Sequence, residues 1–445
     1  MDPKTVFKAY DIRGRTDNGE LTPELLQRVG AAFVSVVEAK QVAIGRDCRL
    51  SSPSLFDGLV TGITGAGADV VDLGEVPTDL VYYYSGAATM PGAMITASHN
   101  PPQYNGLKLC REMASPVGAD TGLNEIRDRV LSKLETVSST TGTVTTVEAV
   151  DAYVDHLLSI VEPSSLGRMR VAVDGGNGMA GVTVSKVFAR IDSELDGLYL
   201  EPDGTFPNHP ADPIQPENLA DLVERVSHGG HDLGVAFDGD ADRAFFIDDH
   251  AEAVSGSTVT ALIARWMLAR HPGASIIHNL ITSRAVPEVI GEAGGKAIRT
   301  RVGHSYIKEV MAQSDAVFGG EHSGHYYFRD NFRADSGMLA MLVLMRVITD
   351  DGRPLSGLRR DVERYAASGE INLEVHDPLA SIEMAAEAYG AARQDRLDGL
   401  SVDLGWAWFN LRASNTEPLL RLNVEAPEPD SVEELVTEIA TLLEE

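Results

Sequence analysis

The sequence predicts an α/β protein of three similar units followed by a smaller α+β tail. Three observations predict it. An apolar strand leading into a Gly/Asp/Asn-rich turn, a helical stretch and another strand occurs three times. Each copy later reaches a strand that ends in a distinct polar loop. The chain then changes character across the polar residues 362–370, after which strand-like and helical stretches resume. Strands alternating with helices give parallel sheets with crossover helices. At 445 residues and about 150 residues per domain, length gives three domains and accommodates four small ones. An apolar content of 43% supplies their cores.

The first copy opens at Val42-Ala43-Ile44-Gly45-Arg46-Asp47, the second at Val171-Ala172-Val173-Asp174-Gly175-Gly176, the third at Ile276-Ile277-His278-Asn279. In copy one the apolar stretch 93–95 runs into the loop 96–108. In copy two the strand 233–237 runs into Asp238-Gly239-Asp240-Ala241-Asp242-Arg243 and leaves through the strand 244–247. In copy three Gly320-Glu321-His322-Ser323-Gly324-His325 precedes the strand 326–328. Similar units with polar loops in comparable places point to triplication around one shared cleft. Breaks at Ser138-Ser139-Thr140-Thr141-Gly142-Thr143, at 248–257 and at 362–370 divide the chain into 1–142, 143–252, 253–366 and 367–445. The terminal helix is expected over 431–443, with Ser431 as N-cap and Glu434 completing a capping box.

The formal net charge of −29 opposes nonspecific binding to nucleic acid or an anionic membrane surface. It also repels phosphorylated ligands at long range, so a phosphate site must gather its own Arg and Lys. Cys48 and Cys110 stand in no metal or redox spacing and read as structural thiols in a reducing compartment. Met1-Asp2-Pro3-Lys4 shows no apolar signal core. The longest apolar run, 338–345, falls short of the about 20 residues that span a bilayer. A cytoplasmic protein is expected, bound to neither nucleic acid nor membrane.

The loops carry the chemistry. Asp238, Asp240 and Asp242 alternate after an apolar strand; three nearby carboxylates repel one another unless a cation sits among them, and hard oxygen ligands suit Mg²⁺. A solvated Asp/Gly turn is the bland reading. An EF-hand fails because Arg243 stands where that loop needs glycine and Asp249 replaces its glutamate. A phosphatase with an aspartate nucleophile lacks the threonine expected after its aspartates. In Thr96-Ala97-Ser98-His99-Asn100-Pro101 a serine sits in a polar loop, where turn chemistry is the bland alternative. Lys108 lies ten residues on, past an expected turn at Asn105-Gly106, and its ammonium can return to the same cleft. A desolvated lysine near other cations shifts its pKa and serves in proton transfer. Glu321, Ser323 and His325 offer groups suited to sugar hydroxyls. Arg412-Ala413-Ser414-Asn415-Thr416-Glu417-Pro418 joins a guanidinium, two hydroxyls and an amide that can grip a phosphate dianion. In Lys8-Ala9-Tyr10-Asp11-Ile12-Arg13-Gly14, Arg13 can neutralise phosphate and Tyr10 can touch substrate; a surface turn with an Arg-Asp pair is equally compatible.

Taken together, from Lys8 to Ala426, these segments resemble the α-D-phosphohexomutase superfamily, and within it the bacterial phosphomannomutase/phosphoglucomutase branch. The resemblance implies three similar mixed-sheet α/β domains plus a C-terminal TATA-binding-protein-like α+β domain around a central cleft. It implies reversible interconversion of hexose 6-phosphate and hexose 1-phosphate through a phosphoserine and a hexose 1,6-bisphosphate, which also serves as activator. Ser98 would carry the phosphoryl group, and Asp238, Asp240 and Asp242 would hold Mg²⁺ together with a phosphate oxygen on Ser98. Arg243 would orient the phosphoserine, with Arg13 beside it. Lys108 and His304 would move protons. Glu321, Ser323 and His325 would hold the sugar. Arg412, Ser414, Asn415, Thr416 and Arg421 would grip the other phosphate, and Tyr10 and Arg284 would add contacts. Two positions depart from the pattern. Arg284 stands where many relatives have lysine. His322 stands where mannose and glucose enzymes often have methionine and glucosamine enzymes glutamine. A phosphoglucosamine mutase is the near alternative and a Mg²⁺-dependent sugar phosphatase the distant one. The expected partner is a small phosphosugar, and the expected assembly a monomer or homodimer.

Overall fold

Four sheets follow one another along the chain. The structure, a computed structural model, describes residues 3–132, 138–413 and 419–444, the side chains of His304 and Glu444 excepted. The first sheet joins Ile12–Arg15, Gln41–Arg46, Asp69–Glu75, Gly92–Ile95, Tyr104–Cys110 and Val144–Thr146, in the spatial order 1-5-4-2-3-6. Gln41–Arg46 pairs in parallel with Asp69–Glu75 and Gly92–Ile95, whereas Tyr104–Cys110 returns antiparallel to Gly92–Ile95. The second sheet repeats the plan. Arg170–Asp174 pairs in parallel with Glu194–Leu198 and Leu233–Phe237, and Ala244–Ile247 returns antiparallel. The third repeats it again with Ser275–Asn279, Lys296–Thr300, Phe318–Gly320 and the antiparallel Tyr326–Phe328. The sheets are therefore mixed. Each polar loop is the turn of an antiparallel hairpin at the same topological place.

The strands entering these hairpins, Gly92–Ile95, Leu233–Phe237 and Phe318–Gly320, are buried at every residue. Such strands read as unbroken apolar runs because both faces are covered. The cover comes from amphipathic helices. Pro23–Val37 starts at Thr22, whose hydroxyl accepts from Leu25 N at 3.2 Å, with proline in the first turn. It buries Leu25, Leu26, Val29 and Phe33.

One helix links the three units. Gly337–Asp351 is buried along residues 337–345, and its side chains share a single core with Leu80 and Met94 of the first unit and Val173 and Phe237 of the second. Burial of each such Leu or Met side chain stabilises by about 1.5–3 kcal/mol. Its N-cap, Ser336, donates to Asp79 Oδ2 at 2.6 Å, accepts from Leu339 N at 3.0 Å and meets Tyr153 OH at 3.2 Å. The tail is a five-stranded antiparallel sheet covered by Pro378–Ala388 and Pro429–Glu444, with a separate core around Phe409, Leu411, Leu422 and Ile439.

At the unit borders, Val144–Thr146 pairs with Asp69–Glu75 of the first sheet and Ala253–Val254 with Ala244–Ile247 of the second. Both are short edge strands without apolar alternation. Two local expectations shift. The terminal helix starts at Pro429, so Ser431 lies inside it rather than capping it; proline suits a first turn, where its missing N–H is not needed. Asn105-Gly106 is strand, not turn. Gly106 pairs with Arg13, and the buried Asn105 amide donates to Ser51 and Ser52 at 2.9 Å each. Both thiols are quiet: Cys110 is buried, and burial pushes Cys48 up to about 12.

Candidate active site

The three hairpin turns meet. Ser98 takes a left-handed backbone (φ 52°), and its N–H donates to Thr96 Oγ1 at 2.9 Å. Its hydroxyl donates to Asp238 Oδ2 at 2.6 Å and accepts from Arg243 Nη2 at 3.2 Å. Arg243 in turn grips Asp238, Nε to Oδ2 at 2.9 Å and backbone N to Oδ1 at 3.2 Å. The acidic turn comes this close because Gly239 has no side chain; a Cβ there would lie 2.4 Å from Ser98 O.

Asp238, Asp240 and Asp242 are buried, and one oxygen of each lies within 4.8 Å of the others. Lys108 Nζ donates to Asp240 Oδ2 at 2.7 Å and to Asp242 Oδ2. Thr78 Oγ1 also donates to Asp240 Oδ2, at 2.6 Å. Burial pushes the Asp238 carboxyl up to about 7. Burial acts the same way on Asp240, but the charge and hydrogen bond of Lys108 outweigh it and hold Asp240 below the usual carboxylate range. The neighbours of Lys108 are thus anions, not the cations expected from the sequence. Burial works to lower its pKa, but Asp240 and Asp242 overcome that and keep it a firmly charged ammonium.

The third hairpin docks on the second through a backbone bridge between Arg243 and His325. Glu321 is buried and fixed by Tyr327 OH at 2.7 Å, Asn279 Nδ2 at 3.2 Å and Gly303 N at 3.2 Å. Ser323 Oγ meets His325 Nδ1 at 3.0 Å, and His325 Nε2 lies 3.6 Å from Asp242 Oδ1. His322 instead lines a cavity between the third unit and the tail, with Tyr365, Trp408 and Glu425, where burial lowers its pKa.

Arg13, on the edge strand beside Gly106, reaches the serine loop: Nη1 donates to Asn100 Oδ1 at 2.6 Å and Nη2 to Asp11 Oδ2 at 2.5 Å. Tyr10 OH donates to Val302 O at 3.1 Å, and its ring stands edge-on to Tyr306. It thereby braces the segment that opens the helix His304–Ser314. In the tail, Arg412 and Arg421 occupy paired positions on adjacent strands, and both face Glu370, at 3.1 and 3.3 Å. Ser414, Asn415 and Thr416, and the side chain of His304, lie outside the described residues. Arg284 sits at the junction of the third unit with the tail. It precedes the helix Ala285–Glu292, donates to Gly405 O at 3.0 Å and lies against Glu425, Asp403 and the Tyr365 ring. It joins the third unit to the tail, its charge drawn there by two carboxylates.

Family models describing the four domains of phosphoglucomutase/phosphomannomutase match residues 4–136 (α/β/α domain I), 151–252 (domain II), 255–365 (domain III) and 370–442 (C-terminal domain). The chain belongs to the phosphoglucomutase/phosphomannomutase family. That places it in the α-D-phosphohexomutase superfamily and makes it a hexose-phosphate mutase, an isomerase. A protein named for phosphohexose mutases from Xanthomonas campestris pv. campestris is 40% identical over 94% of both chains. A phosphomannomutase from Salmonella montevideo is 39% identical over 96% of both. The crystal structure of a family protein from Burkholderia thailandensis superposes with a TM-score of 0.91 at 29% identity, covering 99% of this chain and 97% of that one.

The carboxylates of this family member fit a divalent cation. Asp240 Oδ1 and Asp242 Oδ1 are buried and accept no hydrogen bond, whereas the second oxygen of each is taken by Lys108. Three carboxylates against Lys108 and Arg243 leave a net negative cage of hard oxygens, the donor set Mg²⁺ prefers. Sequence reasoning missed Thr78, which aims Asp240, and Arg49, which holds the serine loop. Thr78 opens the helix Thr78–Ala88 and Arg49 follows the strand Gln41–Arg46 by three residues. Their only signal was a polar residue at the carboxyl end of a buried strand, where ligands gather in α/β sheets.

Proposed function

We propose that the enzyme interconverts hexose 6-phosphate and hexose 1-phosphate, with mannose and glucose as sugars, through a phosphorylated Ser98 and a hexose 1,6-bisphosphate that also acts as activator. The observation carrying this reading is Ser98 Oγ held 2.6 Å from Asp238 Oδ2 and 3.2 Å from Arg243 Nη2 inside a carboxylate cage. In the forward half-reaction the P–O bond to Ser98 Oγ breaks and a P–O bond to the free sugar hydroxyl forms, the hydroxyl proton leaving to a base. The reverse transfer, from the other end of the bisphosphate, restores phospho-Ser98.

Asp238, Asp240 and Asp242 would hold Mg²⁺, which supplies charge neutralisation to the transferring phosphoryl oxygens. Arg243 orients the serine oxygen. Lys108, kept charged by its carboxylates, adds a fixed positive charge and is suited to giving a proton before taking one. His304 is the second candidate for the proton, and Arg13 reaches the serine loop from the edge strand. Glu321, Ser323 and His325 hold sugar hydroxyls. Arg412 and Arg421, with Ser414, Asn415 and Thr416, grip the phosphate that does not react, and Tyr10 supports the cleft wall. Arg284 adds a further substrate contact from the junction of the third unit with the tail. The domain limits, a cytoplasmic location and a monomeric or homodimeric state belong to the same reading; among the described residues no helix is long and apolar enough to cross a membrane.

Ser98→Ala tests the reading. The variant should fold, lose the mass increment of one phosphoryl group and drop at least about a thousandfold in kcat. Full mutase turnover in it would remove the mechanism. His322 keeps a second reading alive, a phosphoglucosamine mutase; kcat/KM for mannose, glucose and glucosamine 1-phosphates compared side by side separates the two.

A further inference from the structure

Arg49 is buried to 1% exposure and uses every donor of its guanidinium. Nε donates to Asp47 Oδ2 at 3.0 Å. Nη2 donates to the carbonyls of Ser98 at 2.7 Å and Asn100 at 2.6 Å, and Nη1 to those of Pro101 at 2.8 Å and Tyr104 at 3.0 Å. Asp47 is itself fixed, Oδ1 accepting from Arg49 N at 3.1 Å and Ser52 Oγ at 2.6 Å. The ring of Phe206, from the second unit, lies over the guanidinium at 5.0 Å. Its loop closes in at Gly204, where a Cβ would sit 2.3 Å from Cys48 O.

Four carbonyls of one turn therefore point inward at one cation. Carbonyls turned from solvent toward the protein need donors, and the turn's own amides supply few: Asn100 N donates to Ala97 O and Tyr104 N to Pro101 O. A planar five-donor fork answers all four carbonyls at once, which an ammonium with three tetrahedral donors cannot do. The same turn holds Ser98 at φ 52°, a conformation a non-glycine residue keeps only when its surroundings enforce it.

We infer that Arg49 is a positioning residue for phosphoryl transfer: it holds the turn 98–104 so that Ser98 Oγ faces Asp238 and Arg243, and it touches neither sugar nor phosphate. This rests on the reading of Ser98 as the phosphoryl carrier. A misplaced reacting atom costs rate rather than ground-state binding.

The test pairs Arg49→Lys and Arg49→Gln with Ser98→Ala, all in the full chain. R49K keeps a charge beside Asp47 but loses the fork. In R49K, kcat for glucose 1-phosphate should fall about a hundredfold while KM stays within about threefold. Hydrogen–deuterium exchange should quicken in the peptide spanning 98–104 and stay unchanged in peptides of 321–328. R49Q should fall further in kcat with the same KM. If S98A is inactive and R49K or R49Q retains kcat within twofold of the parent, Arg49 does not position the serine. A rise in KM with kcat preserved, or failure of both variants to melt cooperatively, would also overturn the inference, the latter by making Arg49 a strut of the domain. Turnover by S98A would instead strike the phosphoserine reading, whatever Arg49 does.

Discussion

Thr78 and Asp240 are joined twice across the boundary between the first two units: Thr78 Oγ1 donates to Asp240 Oδ2 at 2.6 Å, and Thr78 N to Asp240 O at 3.0 Å. With Lys108 on the same Oδ2, the carboxylate presents its other oxygen to the cage. The hydroxyl at the start of one helix thereby decides which way a carboxylate of the next unit faces.

Thr78→Val removes this donor at little change in shape. The backbone bond remains, so the fold should survive, with a stability loss of about 1–3 kcal/mol for the buried acceptor left short of a partner. Affinity for Mn²⁺ or Mg²⁺ should fall about tenfold or more, read by calorimetric titration. Unchanged metal affinity would show that Thr78 does not aim Asp240.

Arg412 and Arg421 share Glu370 and stand side by side on adjacent strands. Arg412→Ala should therefore act on binding: KM for hexose 1-phosphate rises about ten- to a hundredfold, the worth of one hydrogen bond to a charged group, and kcat changes little. Steady-state kinetics check this. A loss confined to kcat would move Arg412 from the phosphate grip to the reacting centre.

His278 gives a pH dependence apart from catalysis. It is buried, with Nδ1 3.0 Å from Asn279 O and 2.9 Å from Thr282 Oγ1, and burial lowers its pKa from 6.5 to about 4. Between those values the unfolded chain binds the proton and the folded chain does not. This contribution is therefore complete above pH 6.5 and lost as pH falls toward 4, by about 3 kcal/mol. Denaturant unfolding of His278→Gln should show a shallower decline over that interval than the parent. Parallel curves would place the titration elsewhere.

The strands and the three polar turns were legible because buried strands are written as unbroken apolar runs, and chemistry-bearing residues cluster where those runs stop. Ser98 and Asp238 stood out in this way although 140 residues separate them. Thr78 and Arg49 did not, because a threonine before a helix looks like a cap and an arginine beside an aspartate looks like a surface pair; Thr78 meets its partner only where one unit packs on another, and Arg49 only where the serine turn folds over it within the first unit. The surroundings of Arg284 were hidden for the same reason. Its sequence neighbours belong to the third unit, but the carboxylates that orient it, Asp403 and Glu425, arrive from the tail. Val144–Thr146 escaped notice because all three residues are exposed and the strand is defined by its partner alone.

The helix Gly337–Asp351 works as a common keel. Serine turn, acidic turn and sugar turn are all anchored to side chains that pack on it or to its capping residue, so none can drift without straining the others. The tail, with a core of its own, is fastened to that hull by polar contacts such as those of Arg284. On the proposed reading, a hexose presenting first one end and then the other to Ser98 would meet a stationary workbench on three sides and a separately built clamp on the fourth.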